Sequence, residues 1–129
     1  MRQRASLDPD TTAASMAAVA RFNDAFNLQD IDAVMAAMTD DCVFENTVPP
    51  PDGARSVGQE AVRVAFRAFF ASSPAARFAT EESFACADRC VVRWTYHWDG
   101  ADGQGHIRGV DLFRVRDGKV AEKLSYVKG

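Results

Sequence analysis

An α+β fold is predicted for this chain, with helices packed on one face of an antiparallel sheet. Three observations predict it. Apolar residues recur at helical spacing in three segments of the N-terminal half. Four segments of the C-terminal half alternate with a period of two and are rich in β-branched and aromatic residues. Asp-Gly-rich stretches at Asp99-Gly100-Ala101-Asp102-Gly103 and Asp117-Gly118 separate these segments as hairpin turns. Helices first and a meander afterwards is the order of a sheet covered on one side.

Residues 1–9 read as a loose tail and residues 10–129 as a single domain. Met16, Val19, Phe22 and Phe26 mark a first helix from Asp10 to Asn27, which Asp10 or Thr11 can cap. Asp30 caps a short second helix over Ile31–Met38, with Ile31, Val34, Met35 and Met38 on one face. Thr39-Asp40-Asp41 is expected to break the chain before a strand at Cys42–Thr47. Pro49-Pro50-Pro51-Asp52-Gly53 must be a loop, because prolines cannot donate to a sheet ladder. Val62, Ala65, Phe66, Phe69 and Phe70 form the stripe of a third helix over Gln59–Ala71, ended by Ser72-Ser73-Pro74. Strands are expected at about 77–87, 89–98, 105–116 and 119–127.

The chain has 129 residues, enough for one core. Its net charge of -3 is too small to steer nucleic acid or an anionic membrane. No apolar run approaches the roughly 20 residues of a membrane span, and the N-terminus lacks the apolar stretch of a secretory signal. Cys42, Cys86 and Cys90 are expected to be reduced structural thiols in a cytoplasmic protein. Their spacing, with only two histidines in the chain, makes neither a redox pair nor a metal set, and no cofactor motif is present.

One residue breaks the apolar pattern. Asp111 shares a strand face with Phe113 and Val115. A carboxylate there is costly unless it is paired, protonated or lining a wet pocket. A three-residue loop Arg116-Asp117-Gly118 would pair Val115 with Lys119, Asp111 with Lys123 and Gly109 with Ser125. A four-residue loop Gly100–Gly103 would pair Asp99 with Gln104 and Val92 with Asp111. Trp94, Tyr96 and Trp98 then share the face of Asp111, while Arg93, Thr95, His97, Arg108, Val110, Leu112 and Arg114 form a mixed outer face suited to a homodimer. Asn46 falls on the side of Phe44 and Cys42, as a loop clamp or a ligand contact, and Glu45 points to the rim.

Three segments carry a resemblance: Phe26-Asn27-Leu28-Gln29-Asp30-Ile31-Asp32-Ala33-Val34, Phe44-Glu45-Asn46-Thr47-Val48-Pro49-Pro50-Pro51 and Gly109-Val110-Asp111-Leu112-Phe113-Arg114-Val115-Arg116-Asp117-Gly118-Lys119. With the element order, they resemble the nuclear transport factor 2-like (cystatin-like) superfamily, in its SnoaL-like and ketosteroid-isomerase-like branch. The resemblance implies a cone-shaped curved sheet, three helices over a deep apolar pocket, and a homodimer. That fold hosts isomerases, cyclases, hydrolases, dehydratases and binders.

Ketosteroid isomerases use an aspartate base, with a tyrosine and a protonated aspartic acid as oxyanion hole. The resemblance puts Asp111 at the oxyanion-hole acid, Phe22 at the tyrosine and Asn46 at the base. Phenylalanine donates no proton and an amide is no base, so two of the three roles lack a counterpart. The Phe44–Pro51 segment is also similar to limonene-type epoxide hydrolases, where the asparagine helps hold the attacking water. There the last-strand acid falls near Ser125, and Arg93 lies near the arginine. Polyketide-cyclase-like members need only one acid or base in an apolar pocket.

Two functions follow as expectations. One is acid/base chemistry on a small apolar carbonyl compound or epoxide, of isomerase, cyclase or hydrolase type. Asp111 would be acid or base, Asn46 would orient substrate or water, and Tyr96 would donate to an oxyanion. Phe22, Phe44, Trp94, Phe113, Lys123 and Ser125 would surround the substrate. Pairing with Lys123 would suit Asp111 to base or binding work. The other is a non-catalytic carrier, sensor or dimeric interaction domain.

Overall fold

The computed structural model describes residues 9–100 and 103–129. In chain order these form α1 (Pro9–Asn27), α2 (Ile31–Ala36), β1 (Met38–Glu45), β2 (Arg55–Val57), α3 (Gln59–Ser72), β3 (Arg77–Cys86), β4 (Arg89–Gly100), β5 (Gly103–Arg116) and β6 (Lys119–Val127). The six strands make one curved, unclosed sheet in the order β2-β1-β6-β5-β4-β3. Every pairing is antiparallel except β1 with β6, which is parallel. The expected purely antiparallel sheet is therefore a mixed one. The first strand enters beside the last because three long hairpin strands already fill the other side. The expected tail lies outside the described residues except for Pro9, which opens α1.

Local chemistry explains most element ends. Asp30 accepts from the Ala33 amide at 3.1 Å and starts α2. That helix stops at Ala36, and the Ala37 carbonyl is captured by the Val120 amide of β6 at 2.8 Å. The Gln59 side-chain amide reaches the carbonyls of Met35, Met38 and Thr39 at 3.0–3.2 Å. These partners draw Thr39-Asp40-Asp41 into β1, where a break was expected. Asp41 is held outside by Thr39 and Arg116, whose guanidinium keeps its carboxyl below the usual range. The short strand β2 was not anticipated. It returns from the proline loop to pair Phe44 with Ser56, and three residues are too few for a period-two pattern to show.

The β4–β5 hairpin has the expected register, with Asp99 opposite Gln104 and Val92 opposite Asp111; loop residues 101–102 lie outside the described residues. The β5–β6 hairpin differs from expectation. Its loop has two residues, Asp117 (φ 54) and Gly118 (φ 75), closing on an Arg116–Lys119 pair. Both take the left-handed conformation that a tight hairpin turn needs. A bulge at Ala121 then shifts the ladder again, so that Asp111 faces Ser125 and Phe113 faces Lys123.

The helices cover the Asp111 face of the sheet. Phe22 of α1 is fully buried and packs on Phe26, Phe66 and Phe113 with ring centroids 5.8–6.1 Å apart. Phe66 of α3 extends this cluster to Phe44 at 4.7 Å. Ser15 and Thr12 pin α1 to the β3–β4 turn through the carbonyl and amide of Ala87. On β5, a Cβ at Gly109 would collide with the Trp94 indole and the Tyr126 carbonyl, so glycine lets the indole lie flat on the sheet.

Phe66→Ala is expected to cost about 3–5 kcal/mol of unfolding free energy, by loss of a ring shared between α1, α3 and β1. Asp30→Ala should cost about 1 kcal/mol, by loss of one cap. Urea unfolding followed by circular dichroism measures both, and equal losses would contradict the central place given to Phe66.

Candidate functional site

Between α3, the proline loop and the concave sheet face lies a cavity of about 610 Å³. Phe44, Phe66, Phe69, Phe78, Trp94, Tyr96 and Trp98 supply aromatic walls, with Ile107 and Val127 beside them. The rings hold each other at fixed angles. Phe78 stacks on Tyr96 (4.9 Å, 19°) and meets Trp94 edge-on (5.1 Å, 82°), while Phe69 meets Tyr96 edge-on at 5.9 Å. Such a volume falls in the range of about 300–1,000 Å³ typical of small-molecule sites.

The polar end of this cavity is built by the two last strands. Lys123 Nζ donates to Ser125 Oγ at 3.0 Å, Ser125 Oγ donates to Asp111 Oδ1 at 2.7 Å, and Lys123 Nζ lies 3.6 Å from Asp111 Oδ2. Lys123 is 7% exposed and Asp111 5%. Two ions withdrawn this far from water persist only because each neutralises the other and a hydroxyl bridges them. The ammonium also sits over the rings of Phe44 (4.9 Å) and Phe26 (5.3 Å). The apolar shell thus holds a cation by ring faces as well as by a carboxylate.

Lys123 and Ser125 line the large cavity; Asp111 does not. Asp111 borders an adjoining void of about 20 Å³, lined also by Asn23, Asn27, Thr80 and Val92 and sharing Phe26, Phe78, Trp94 and Lys123 with the large cavity. The direct cross-strand pairing expected of Asp111 and Lys123 is replaced by a diagonal contact through Ser125.

The other candidates divide the same way. Phe44, Asn46, Trp94 and Tyr96 line the cavity, whereas Phe22 and Phe113 are wholly buried in the core and do not. Asn46 is a loop clamp in part. Its Oδ1 accepts from the Thr47 backbone amide at 2.7 Å, and its backbone N–H donates to the Ala54 carbonyl at 2.9 Å. Glu45 pairs with Arg55 at 2.7 Å at the rim. His97 lies on the outer face opposite His106. Phe66 and Phe69 were legible as a helix stripe but not as cavity wall, because periodicity separates buried from exposed faces and not core from pocket. Phe78 could be found only through its pairing with Tyr96.

Trp94 Nε1 is a buried donor without a hydrogen-bond partner among the described residues. Among those residues no three His, Cys, Asp or Glu side chains gather as a cation site. Cys42 and Cys90 are buried free thiols that desolvation pushes up to about 11, while Cys86 is exposed.

Removal of one member of the buried ion pair should be far costlier than removal of both. Lys123→Met or Asp111→Leu alone is expected to lose about 3–5 kcal/mol, and the double variant much less. Chemical unfolding of the three variants measures the coupling, and additive losses would argue against a mutually neutralising pair. With a thiol-specific chromogenic reagent at pH 8, one thiol should react in the native protein and the other two only on unfolding. Both buried thiols stay protonated well above that pH, since their titration lies near 11.

Comparisons with known proteins agree with this fold. A family model described as a SnoaL-like domain matches residues 19–123. A solved NTF2-like protein of unknown function from Mesorhizobium loti is 43% identical, with a TM-score of 0.80, over 95% of this chain and 97% of that one. An LEH-like epoxide hydrolase from M. tuberculosis shares the fold at 22% identity and a TM-score of 0.73, covering 91% of this chain and 84% of that one. A candidate polyketide cyclase from Xanthomonas campestris pv. campestris shares it at 20% identity and a TM-score of 0.72, over 92% and 93% of the two chains. No curated protein matches. No helix among the described residues is long and apolar enough to cross a membrane. A family model spanning most of the chain, and close identity to a solved NTF2-like protein over nearly its full length, show that the chain belongs to the SnoaL-like domain family of the nuclear transport factor 2-like superfamily.

Proposed function

We propose that this protein binds a small, largely apolar carbonyl compound or epoxide and acts on it by proton transfer. The observation that carries this reading is the chain Lys123–Ser125–Asp111 at the inner end of an aromatic cavity. A ligand oxygen directed inward meets the Lys123 ammonium. That cation favours any state in which negative charge grows on the oxygen, such as an enolate or an opened epoxide. Ser125 already donates to Asp111. It can therefore accept a proton from the ligand as its own proton passes to the carboxylate. Asp111 acts as base through Ser125, with no direct contact to the ligand, and Asn46 orients the ligand from the loop side. The epoxide hydrolase and candidate polyketide cyclase among the structural relatives support a small-molecule enzyme of this general kind.

A second reading is a carrier or sensor. It is favoured by the absence of any carboxylate or imidazole from the cavity wall among the described residues. Thermal-shift and turnover assays with steroids, polyketide-like aromatic ketones and epoxides separate the two. In the enzyme, Ser125→Ala and Asp111→Asn retain a ligand-induced shift and lose turnover by about 10²–10⁴-fold, the usual size of a general acid–base contribution. Undiminished turnover in both variants would remove the relay. Binding without turnover in any form would establish the carrier.

We also propose that two copies pair through the outer sheet face. An apolar row crosses four strands there, Phe84–Val91–Leu112–Leu124, each residue directly opposite the next. It is flanked by ion pairs of both signs: Arg93 with Glu81 and Glu82 on one side, Arg114 with Asp88 and Glu122 on the other. Such a patch complements a rotated copy of itself. Sedimentation equilibrium should give a dimer that Leu112→Glu converts to monomer; a monomeric parent protein would refute the pairing.

A further inference from the structure

Asp111 does not line the cavity that Ser125 and Lys123 line, and it borders instead the small void beside α1. That void of about 20 Å³ exceeds the roughly 10–15 Å³ needed for one water. Its polar neighbours suit a water. Asp111 has carboxylate lone pairs beyond those used by Ser125 and Lys123, and Asn23, Asn27 and Thr80 supply amide and hydroxyl groups.

The void also leads outward. Asn27 and Thr80 are exposed and Asn23 is half-buried. Asn23 and Asn27 stand at i and i+4 on α1, so they form a polar edge to the apolar stripe of Phe22 and Phe26. Across from them, the β3 ladder slips between Thr80 and Glu82, close to the pairing of Val92 with Asp111. A bulge at that point bends β3 and interrupts the ladder beside the carboxylate. The helix edge and the bulge therefore meet beside Asp111, across Phe26, Phe78, Trp94 and Lys123 from the aromatic cavity.

We propose that this void holds one water hydrogen-bonded to Asp111, and that Asn23 and Thr80 connect it to bulk solvent as a second, polar entrance to the site. While a ligand excludes water from the aromatic cavity, this passage gives Asp111 a route to return the proton taken through Ser125. That role rests on the relay reading above; the water and its passage do not. Asn23 and Thr80 are positioning residues, since they act on the carboxylate only through the water.

The test is a high-resolution crystal structure of the unliganded protein, with oxygen-17 relaxation dispersion of water in solution. The expected result is one ordered water within hydrogen-bond distance of Asp111 and of Asn23 or Thr80. Asn23→Leu combined with Thr80→Val should remove that water from the crystal structure and subtract one exchanging internal water from the dispersion. Its aromatic cavity and ligand-induced thermal shift should remain those of the parent. A void closed by side chains in the parent protein, or a dispersion unchanged in the folded double variant, overturns the proposal. The parent structure decides the question even if the double variant does not fold. Neither measurement involves turnover, so failure of the proton-relay reading and failure of this one are told apart.

Discussion

A lysine and an aspartate, each more than nine-tenths buried, lie 3.6 Å apart on a diagonal of the sheet inside a shell of phenylalanine and tryptophan rings. Neither ion could remain there alone, because withdrawal of a single charge from water costs several kcal/mol even after relaxation. Their coexistence constrains everything around them. Strands β5 and β6 must keep both groups on one face, Ser125 must stand between them, and α1 must close over the carboxylate. The faces of Phe26 and Phe44 add a second, softer set of contacts for the ammonium. The pair is thus both the site's polar element and the chief liability of the core.

The same arrangement gives the site two sides. Lys123 and Ser125 look into the aromatic cavity, and Asp111 looks toward α1 and the bulge in β3. On the proposed reading a ligand would meet a cation and a hydroxyl, since Asp111 does not line that cavity. This separates the tasks that an exposed carboxylate would combine. On the proposed reading the ligand would face an electrophilic end wall, while the group that would hold a proton stays in a polar corner. The phenylalanine at position 22 fits this division. It fills the core against Phe113 and Phe66, where a hydroxyl would need a partner of its own.

The hairpin between β5 and β6 shows how far sequence reasoning reached. The alternation around Asp111 implied that it shares a face with Lys123, and it does. The partner assignment was off by two positions. One came from the turn, where Asp117 joins Gly118 in the left-handed region and shortens the loop by a residue. The other came from the bulge at Ala121. Two single-residue shifts restore the parity of the strand, so the face was right and the neighbour was wrong. The Asp-Gly pair is the known mark of a two-residue turn. The bulge leaves no comparable trace, because it answers to the packing of Val120 and Ala121 against distant elements.

From sequence alone the three helices, four long hairpin strands and the odd carboxylate were readable, because periodicity and turn residues are local consequences of side-chain chemistry. So were the aromatic residues of the Asp111 face, since a period of two sets them together on one side of β4 and the four-residue loop fixes the register that aligns that side with Asp111. Tertiary structure alone decided that β1 runs parallel beside β6, that Phe22 and Phe113 are core while Phe78 and Phe69 are cavity wall, and that Lys123 rather than Asp111 meets the cavity. These are questions of depth and of non-local pairing. Depth depends on which element lies on top of which, and no spacing within one segment records that.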